Sequence, residues 1–277
     1  MSYPRNLVTA AWLVQHLADP NVVVVDCRFA LAAPLQGQQQ YATSHIPGAW
    51  HLDLNQDLSS PVQAHGGRHP LPDPDVFSTR LSALGIESRG AESTLVVAYD
   101  DARFAFASRL WWLLRYLGHD AVAVLDGGWT GWVREGYPTT AQRPQQRQGS
   151  FTPAPRQDWI VDIDAVRQRG DEVTLIDSRS PERYRGEVEP IDPIAGSIPG
   201  AVNYFWQTVS EPSGQMKAPN HLAQHWAGLS DTDEVIVHCG SGVTACVNLL
   251  AQTLAGLPVA RLYVGGWSDW CSYQAEQ

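Results

Sequence analysis

The sequence predicts an α/β protein built from two tandem domains, each a mainly parallel sheet flanked by helices. Three observations carry this. Short apolar, β-branched runs such as Val22-Val23-Val24-Val25 and Val235-Ile236-Val237 alternate with helical patterns, the signature of strands covered on both faces. Four motifs of the first half recur in the same order in the second. Between the halves lies a polar stretch without periodicity, carrying Gln145, Gln146, Gln148, Pro144, Pro153 and Pro155. Residues 1–140 and 158–277 are therefore read as domains, and 141–157 as their linker.

The repeat is explicit. Val25-Asp26-Cys27-Arg28 matches Ile176-Asp177-Ser178-Arg179, and His45-Ile46-Pro47-Gly48-Ala49 matches Ser197-Ile198-Pro199-Gly200-Ala201. Leu95 to Asp100 matches Glu234 to Cys239, and Asp126-Gly127-Gly128-Trp129 matches Val264-Gly265-Gly266-Trp267. Helical patterns are expected over residues 9–18, 76–84 and 104–117, and again over 162–169, 220–228 and 243–255. The offset between matching residues is 151 at Asp26/Asp177 but 139 at Asp100/Cys239, so the first half holds about a dozen extra residues before Leu95. The stretch 57–75, with His65, Gly66, Gly67, Arg68, His69 and Pro70, is the natural candidate. It is read as a loop that reaches toward Cys239, or else as a solvated surface loop.

Composition narrows the function classes. The chain has 277 residues, 44% of them hydrophobic, with a net charge of -10. That acidity argues against nucleic acid or an anionic membrane surface as partner, since both require a basic face. The first twenty residues do not read as a signal peptide, and no apolar run approaches a membrane span. The four cysteines have no metal-site or disulfide spacing, so no metal is expected and a reducing, cytoplasmic setting is; separately, no cofactor is expected and the protein is taken as a monomer.

Chemistry concentrates at His238-Cys239-Gly240-Ser241-Gly242-Val243-Thr244. An apolar strand stops at a cysteine, a glycine-containing loop follows, and a helix begins. The N–H groups of such a loop and of the first helical turn converge on its centre, where they would stabilise a thiolate and lower the Cys239 pKa. Cys239 is then a nucleophile. In the first half the aligned residues are Asp100 followed by Asp101-Ala102-Arg103-Phe104-Ala105, with neither cysteine nor glycines, so that copy is read as catalytically degenerate.

The motif Cys-Gly-Ser-Gly-Val-Thr resembles the active-site loop of the mercaptopyruvate sulfurtransferases of the rhodanese superfamily, and the likeness extends over nearly the whole chain. The resemblance implies two rhodanese-like domains and transfer of a sulfane sulfur from 3-mercaptopyruvate through a Cys239 persulfide. The acceptor would be a thiol, thioredoxin or cyanide. It also implies that Ser241 and His69 act with Cys239, and that Arg183 holds the carboxylate of a small anionic donor, as the fork of a guanidinium suits. Gly240, Gly242, Val243 and Thr244 would contribute loop contacts to substrate. Two departures stand out: Asn55 occupies the place of the family's relay Asp, and Ile191 that of its second clamp Arg. Thiosulfate is therefore the alternative donor, and a non-catalytic rhodanese-like binding protein a more remote reading. A phosphatase of related fold would need Cys-x5-Arg, but the sixth residue after Cys239 is Ala245.

Overall fold

The computed structural model describes residues 3–88, 93–229 and 234–274. It divides into two compact units, one comprising Met1–Ser59, Pro72–Pro155 and Pro212–Met216, the other Ser60–Leu71, Arg156–Glu211 and Lys217–Gln277. Residues 89–92, within the interval to which extra residues were assigned, lie outside the described residues.

In the first unit the elements are β1 (Asn6–Val8), α1 (Ala10–Gln15), β2 (Val22–Asp26), α2 (Gln36–Thr43), β3 (Trp50–His51), α3 (Pro74–Ala83), β4 (Leu95–Tyr99), α4 (Ala107–Tyr116), β5 (Val122–Leu125) and α5 (Gly128–Arg134). The strands form one sheet in the order β1-β5-β4-β2-β3, and every pair is parallel. All residues of β2, β4 and β5 are buried, which is why these segments read as unbroken apolar runs rather than alternating ones. Trp111 and Trp112 lie within α4 and are buried there.

Helix limits follow local chemistry. Thr9 caps α1 by accepting from the Trp12 N–H (3.2 Å), and Asp73 caps α3 ahead of Pro74. Segment 141–155 has no regular structure, but it is tied to this unit by Gly149 N–H to Ser82 O (2.8 Å) and Ala154 N–H to Leu117 O (2.9 Å).

The second unit repeats the plan with β6 (Ile160–Val161), α6 (Ile163–Gln168), β7 (Val173–Asp177), α7 (Pro181–Tyr184), β8 (Val202–Asn203), α8 (Pro219–His225), β9 (Glu234–His238), α9 (Ala245–Leu254), β10 (Arg261–Tyr263) and α10 (Gly266–Gln274). Its sheet order, β6-β10-β9-β7-β8, is the first order element for element, again all parallel. Among the described residues no helix is long and apolar enough to cross a membrane.

The repeated motifs now have a physical role. Asp26 and Asp177 end β2 and β7, and each is fully buried against the guanidinium two residues on: Arg28 Nη2 and Arg179 Nη2 lie 2.6 Å from Oδ2 of their aspartates. Each Arg also donates to a loop carbonyl, of Ser44 or Gly196, at 2.7 Å. Each is stacked on the tryptophan of the Gly-Gly-Trp motif, Arg28 on Trp129 (4.3 Å) and Arg179 on Trp267 (4.6 Å). Pairing, capping and cation–π contact offset the desolvation of a buried guanidinium. Three sequence repeats thus meet in one knot per unit.

Candidate active site

The strands of the second unit deliver the site to the carboxyl edge of its sheet. The register of β7 and β9 sets Asp177 beside His238, so Cys239 emerges one residue beyond that pair. Open parallel sheets bind ligands at this edge. Cys239, Ser241 and Val243 are buried, and α9 begins at Ala245, its positive dipole end toward the loop, with the Cys246 and Val247 N–H groups given to the Val243 and Thr244 carbonyls at 3.1 Å each.

Two glycines of the loop are there for different reasons. Gly242 has φ +70° and lies so close to β10's exit that a Cβ would stand 2.3 Å from the Val264 carbonyl oxygen. No side chain fits. Gly240 is crowded by charge instead: a Cβ there would stand 3.0 Å from Arg68 Nη2 and 3.6 Å from Arg183 Nη2. The Gly-Gly-Trp turn fixes the loop from behind. Trp267 N–H donates to the Cys239 carbonyl and Ser268 N–H to that of Gly240, each at 2.8 Å. Gly266 (φ +59°) would place a Cβ 2.4 Å from the same Cys239 oxygen.

Around the loop the side chains form a connected polar cluster. His69 Nδ1 and Ser241 Oγ are hydrogen-bonded at 2.8 Å, both residues buried. Arg183 gives Nε and Nη2 to Glu189 (3.1 and 2.7 Å), and Nη2 also reaches Asp192 Oδ2 at 3.0 Å. Arg68 Nη1 pairs with the other oxygen of Asp192. Glu189 in turn accepts from Arg179 Nη1 at 3.2 Å, which links the cluster to Asp177. Carboxylates and guanidiniums alternate from the end of β7 to Gly240. Burial pulls the Arg68 pKa down, while the nearby Cys239 works in the opposite direction.

His238 is fully buried, and because a carbonyl can only accept, its Nδ1 carries the proton given to Cys239 O at 3.1 Å. Burial pushes its pKa down, outweighing Asp177 Oδ2 at 3.9 Å from Nε2.

The second unit by itself therefore brings together Cys239, Gly240, Ser241, Gly242, Val243, Thr244, Arg183 and His69. His69 is there because residues 60–71 belong to this unit. Asn55 belongs to the first unit, exposed in a turn where its N–H donates to Asp53 Oδ1 at 2.8 Å. Arg185 is an exposed partner of Glu187 (2.7 Å), an arrangement worth little. Cys246 is a buried helix residue whose Sγ lies 3.3 Å from the Gly242 carbonyl.

Sequence reasoning left Arg68 without a role, although it read its loop as reaching toward Cys239, and missed the two carboxylates Glu189 and Asp192 and the clamping role of Gly-Gly-Trp. Acidic residues three apart in a stretch holding three arginines were the available signal for the carboxylates.

The first unit shows what becomes of the loop without its cysteine. The Asp100 carboxylate fills the cradle itself, accepting from the N–H groups of Ala102 (2.9 Å), Phe104 (3.1 Å), Phe106 (2.8 Å) and Ala107 (2.8 Å). Those bonds hold Arg103 and Phe104 in the left-handed region at φ 55° and 75°, at a cost of about 1–2 kcal/mol each. Burial pushes the Asp100 pKa up, against the pull of those N–H donors. The Gly-Gly-Trp turn repeats the first of its two contacts: Trp129 N–H donates to Asp100 O at 2.8 Å. An intramolecular anion has taken the place of the thiol.

Two copies of one sheet order, one placing Cys239 and a glycine loop after its β9 and one placing Asp100 and its N–H donors after β4, match the Rhodanese-like domain family at residues 9–135 and 162–273. The chain belongs to the rhodanese family. It is 44% identical over 271 residues to a Pseudomonas aeruginosa protein named "Probable 3-mercaptopyruvate sulfurtransferase", covering 95% of this chain and 94% of that one. It is 30% identical over 281 residues to the thiosulfate sulfurtransferase of Rattus norvegicus, covering 96% and 92%. Among solved structures it superposes on SseA from Escherichia coli, described as a 3-mercaptopyruvate sulfotransferase with the rhodanese fold, with a TM-score of 0.81 and 31% identity, covering 96% of this chain and all of that one. The two rhodanese-like domains expected from the sequence are present, each with its five-stranded parallel sheet and flanking helices.

Proposed function

We propose that this protein is a 3-mercaptopyruvate sulfurtransferase in which Cys239 alternates between thiol and persulfide. The observation that carries the reading is the Ser241–His69 hydrogen bond at 2.8 Å, two residues from the nucleophile in a glycine loop faced by guanidiniums. A carbonyl donor needs a hydroxyl to meet the charge that develops on its oxygen, and an inorganic donor does not. The mercaptopyruvate-linked names of the Pseudomonas and Escherichia relatives support the same substrate.

In this reading the Cys239 thiolate attacks the sulfur of mercaptopyruvate, forming the S–S bond as the donor's C–S bond breaks. The C–S electron pair passes into the enolate of pyruvate. Ser241, oriented by His69, gives its hydrogen bond to the enolate oxygen while the enolate's methylene carbon takes a proton from water and becomes the methyl of pyruvate. Cys239 now carries Cys–S–SH, held by the loop N–H groups of Gly240 to Thr244. A thiolate, thioredoxin or cyanide then attacks the outer sulfur, takes it, and releases Cys239 as thiolate. Arg183 receives the donor carboxylate. The cycle needs Cys239 kept reduced, and all four cysteines are free thiols, so a cytoplasmic setting suits it.

Thiosulfate is the competing donor, favoured by the lack of the family's Asp at Asn55 and second Arg at Ile191. The test is kcat/KM for both donors with one acceptor, together with intact-mass detection of the persulfide at Cys239. A preference for mercaptopyruvate is expected. A preference for thiosulfate overturns the substrate assignment, and no transfer from either donor overturns the enzyme reading.

A further inference from the structure

The second clamp position of the family is occupied here by Ile191, which is 45% exposed and contributes only its backbone N–H to the cluster, to Glu189 Oε1 at 3.1 Å. Yet the loop does face two guanidiniums. Building on the reading above, we infer that Arg68 is the second arm of the donor clamp, reaching through space the position that Ile191 leaves without charge.

Three observations support the assignment. First, both guanidiniums converge on one point beside the nucleophile: a Cβ at Gly240 would stand 3.0 Å from Arg68 Nη2 and 3.7 Å from Arg183 Nη1. Among the described residues neither of those nitrogens has a protein hydrogen-bond partner, whereas the others of Arg183 are engaged by Glu189 and Asp192. One open N–H edge from each arginine is what the two oxygens of a carboxylate need. Second, Asp192 holds the pair at a fixed separation, one carboxylate oxygen to each arginine.

Third, the segment that carries Arg68 is pinned on both sides. Gly66 N–H donates to Asp269 Oδ1 (2.6 Å), and His65 bonds Ser272 Oγ (2.8 Å) and stacks on Tyr273. Gly67, at φ +76°, lies so near Gly265 that a Cβ would stand 2.4 Å from its carbonyl oxygen, and His69 follows with its bond to Ser241. Arg68 is thus placed by its neighbours, independently of any ligand, and little ordering remains to be done on binding. Charge balance points the same way. Arg68, Arg179 and Arg183 match Asp177, Glu189 and Asp192 one for one, so without Arg68 the cluster would be net negative where an anion must enter.

The test compares wild type, Arg68→Met and Arg68→Lys in the full chain, measuring kcat, KM for mercaptopyruvate and the inhibition constant of pyruvate, which shares the carboxylate but has no sulfur to give. Arg68→Met should raise KM and the pyruvate constant about 10- to 100-fold, the value of a charge-assisted hydrogen bond, with Lys between. The pH profile of kcat should keep its shape, since Ser241 and His69 are untouched. Unchanged KM and pyruvate constant would overturn the inference and leave Arg183 as the sole clamp. A fall in kcat with an altered pH profile and unchanged KM would also overturn it, showing that Arg68 only props the segment bearing His69. Failure of the substrate reading is seen separately, in wild type. If wild type loads Cys239 only from thiosulfate, the clamp stands or falls on whether Arg68→Met raises the thiosulfate KM.

Discussion

Replacing Gly266 by alanine should damage catalysis through a carbonyl rather than a side chain. Its Cβ would lie 2.4 Å from Cys239 O and 3.1 Å from Ser241 N, where ordinary contacts begin at 3.4 Å, so the turn and the loop must part by about 1 Å. The left-handed conformation at φ +59° costs an alanine about 1–2 kcal/mol, and weakening the 2.8 Å Trp267 bond adds about 1 kcal/mol. A displacement of that size at a nucleophile lowers the rate by roughly 100-fold. The internal repeat supplies the control. Gly128 has φ +54° and would place a Cβ 2.3 Å from Asp100 O, the same clash on a residue that does no chemistry. Both variants should lose about 2–3 kcal/mol in urea titration, but only Gly266→Ala should lose kcat/KM for sulfur transfer once the folded fraction is matched. Full activity in Gly266→Ala, or equal loss in Gly128→Ala, would refute the idea that this turn sets the position of Cys239.

Cys239→Ser should abolish persulfide formation and sulfide release from mercaptopyruvate; turnover at the wild-type rate would exclude Cys239 as the sulfur carrier. Ser241→Ala should lower kcat by about 10²-fold or more, the scale of losing one donor to a developing oxyanion, with KM little changed. Asp100→Ala should cost the first unit about 3 kcal/mol, seen as a lower denaturation midpoint, because buried N–H groups lose a charged acceptor. His119 gives a pH prediction. Burial pushes its pKa below 6.5, and Nε2 bonds the Thr94 carbonyl at 2.9 Å. The unfolded chain therefore takes up a proton first as pH falls, so this contribution to stability is complete above about 6.5 and is lost as pH falls toward the folded value. His119→Gln should flatten the slope of the urea midpoint between about pH 7 and 5.

Local chemistry was enough to read much of this protein. A parallel sheet buried on both faces leaves continuous apolar strands, so β2, β4 and β9 could be placed from composition. An apolar strand ending in a cysteine, followed by glycines and a helix start, marked Cys239 as the candidate nucleophile, because glycine lets the backbone curl closely around it. The aligned absence of that pattern at Asp100 marked the first copy as altered, though not that its carboxylate would occupy the cradle. Other features depend on residues far apart in sequence. Arg68 and Arg183 are separated by more than a hundred positions and meet only because residues 60–71 pack into the second unit. The partners of Arg179 on Trp267, and of Trp267 on Cys239, become visible only once the strands are in register. Sequence determined which groups could be nucleophile, donor and cation. Tertiary structure decided which cations face the nucleophile, because a guanidinium is placed by the packing of its backbone and the carboxylates that hold it, and neither is encoded in its neighbours along the chain.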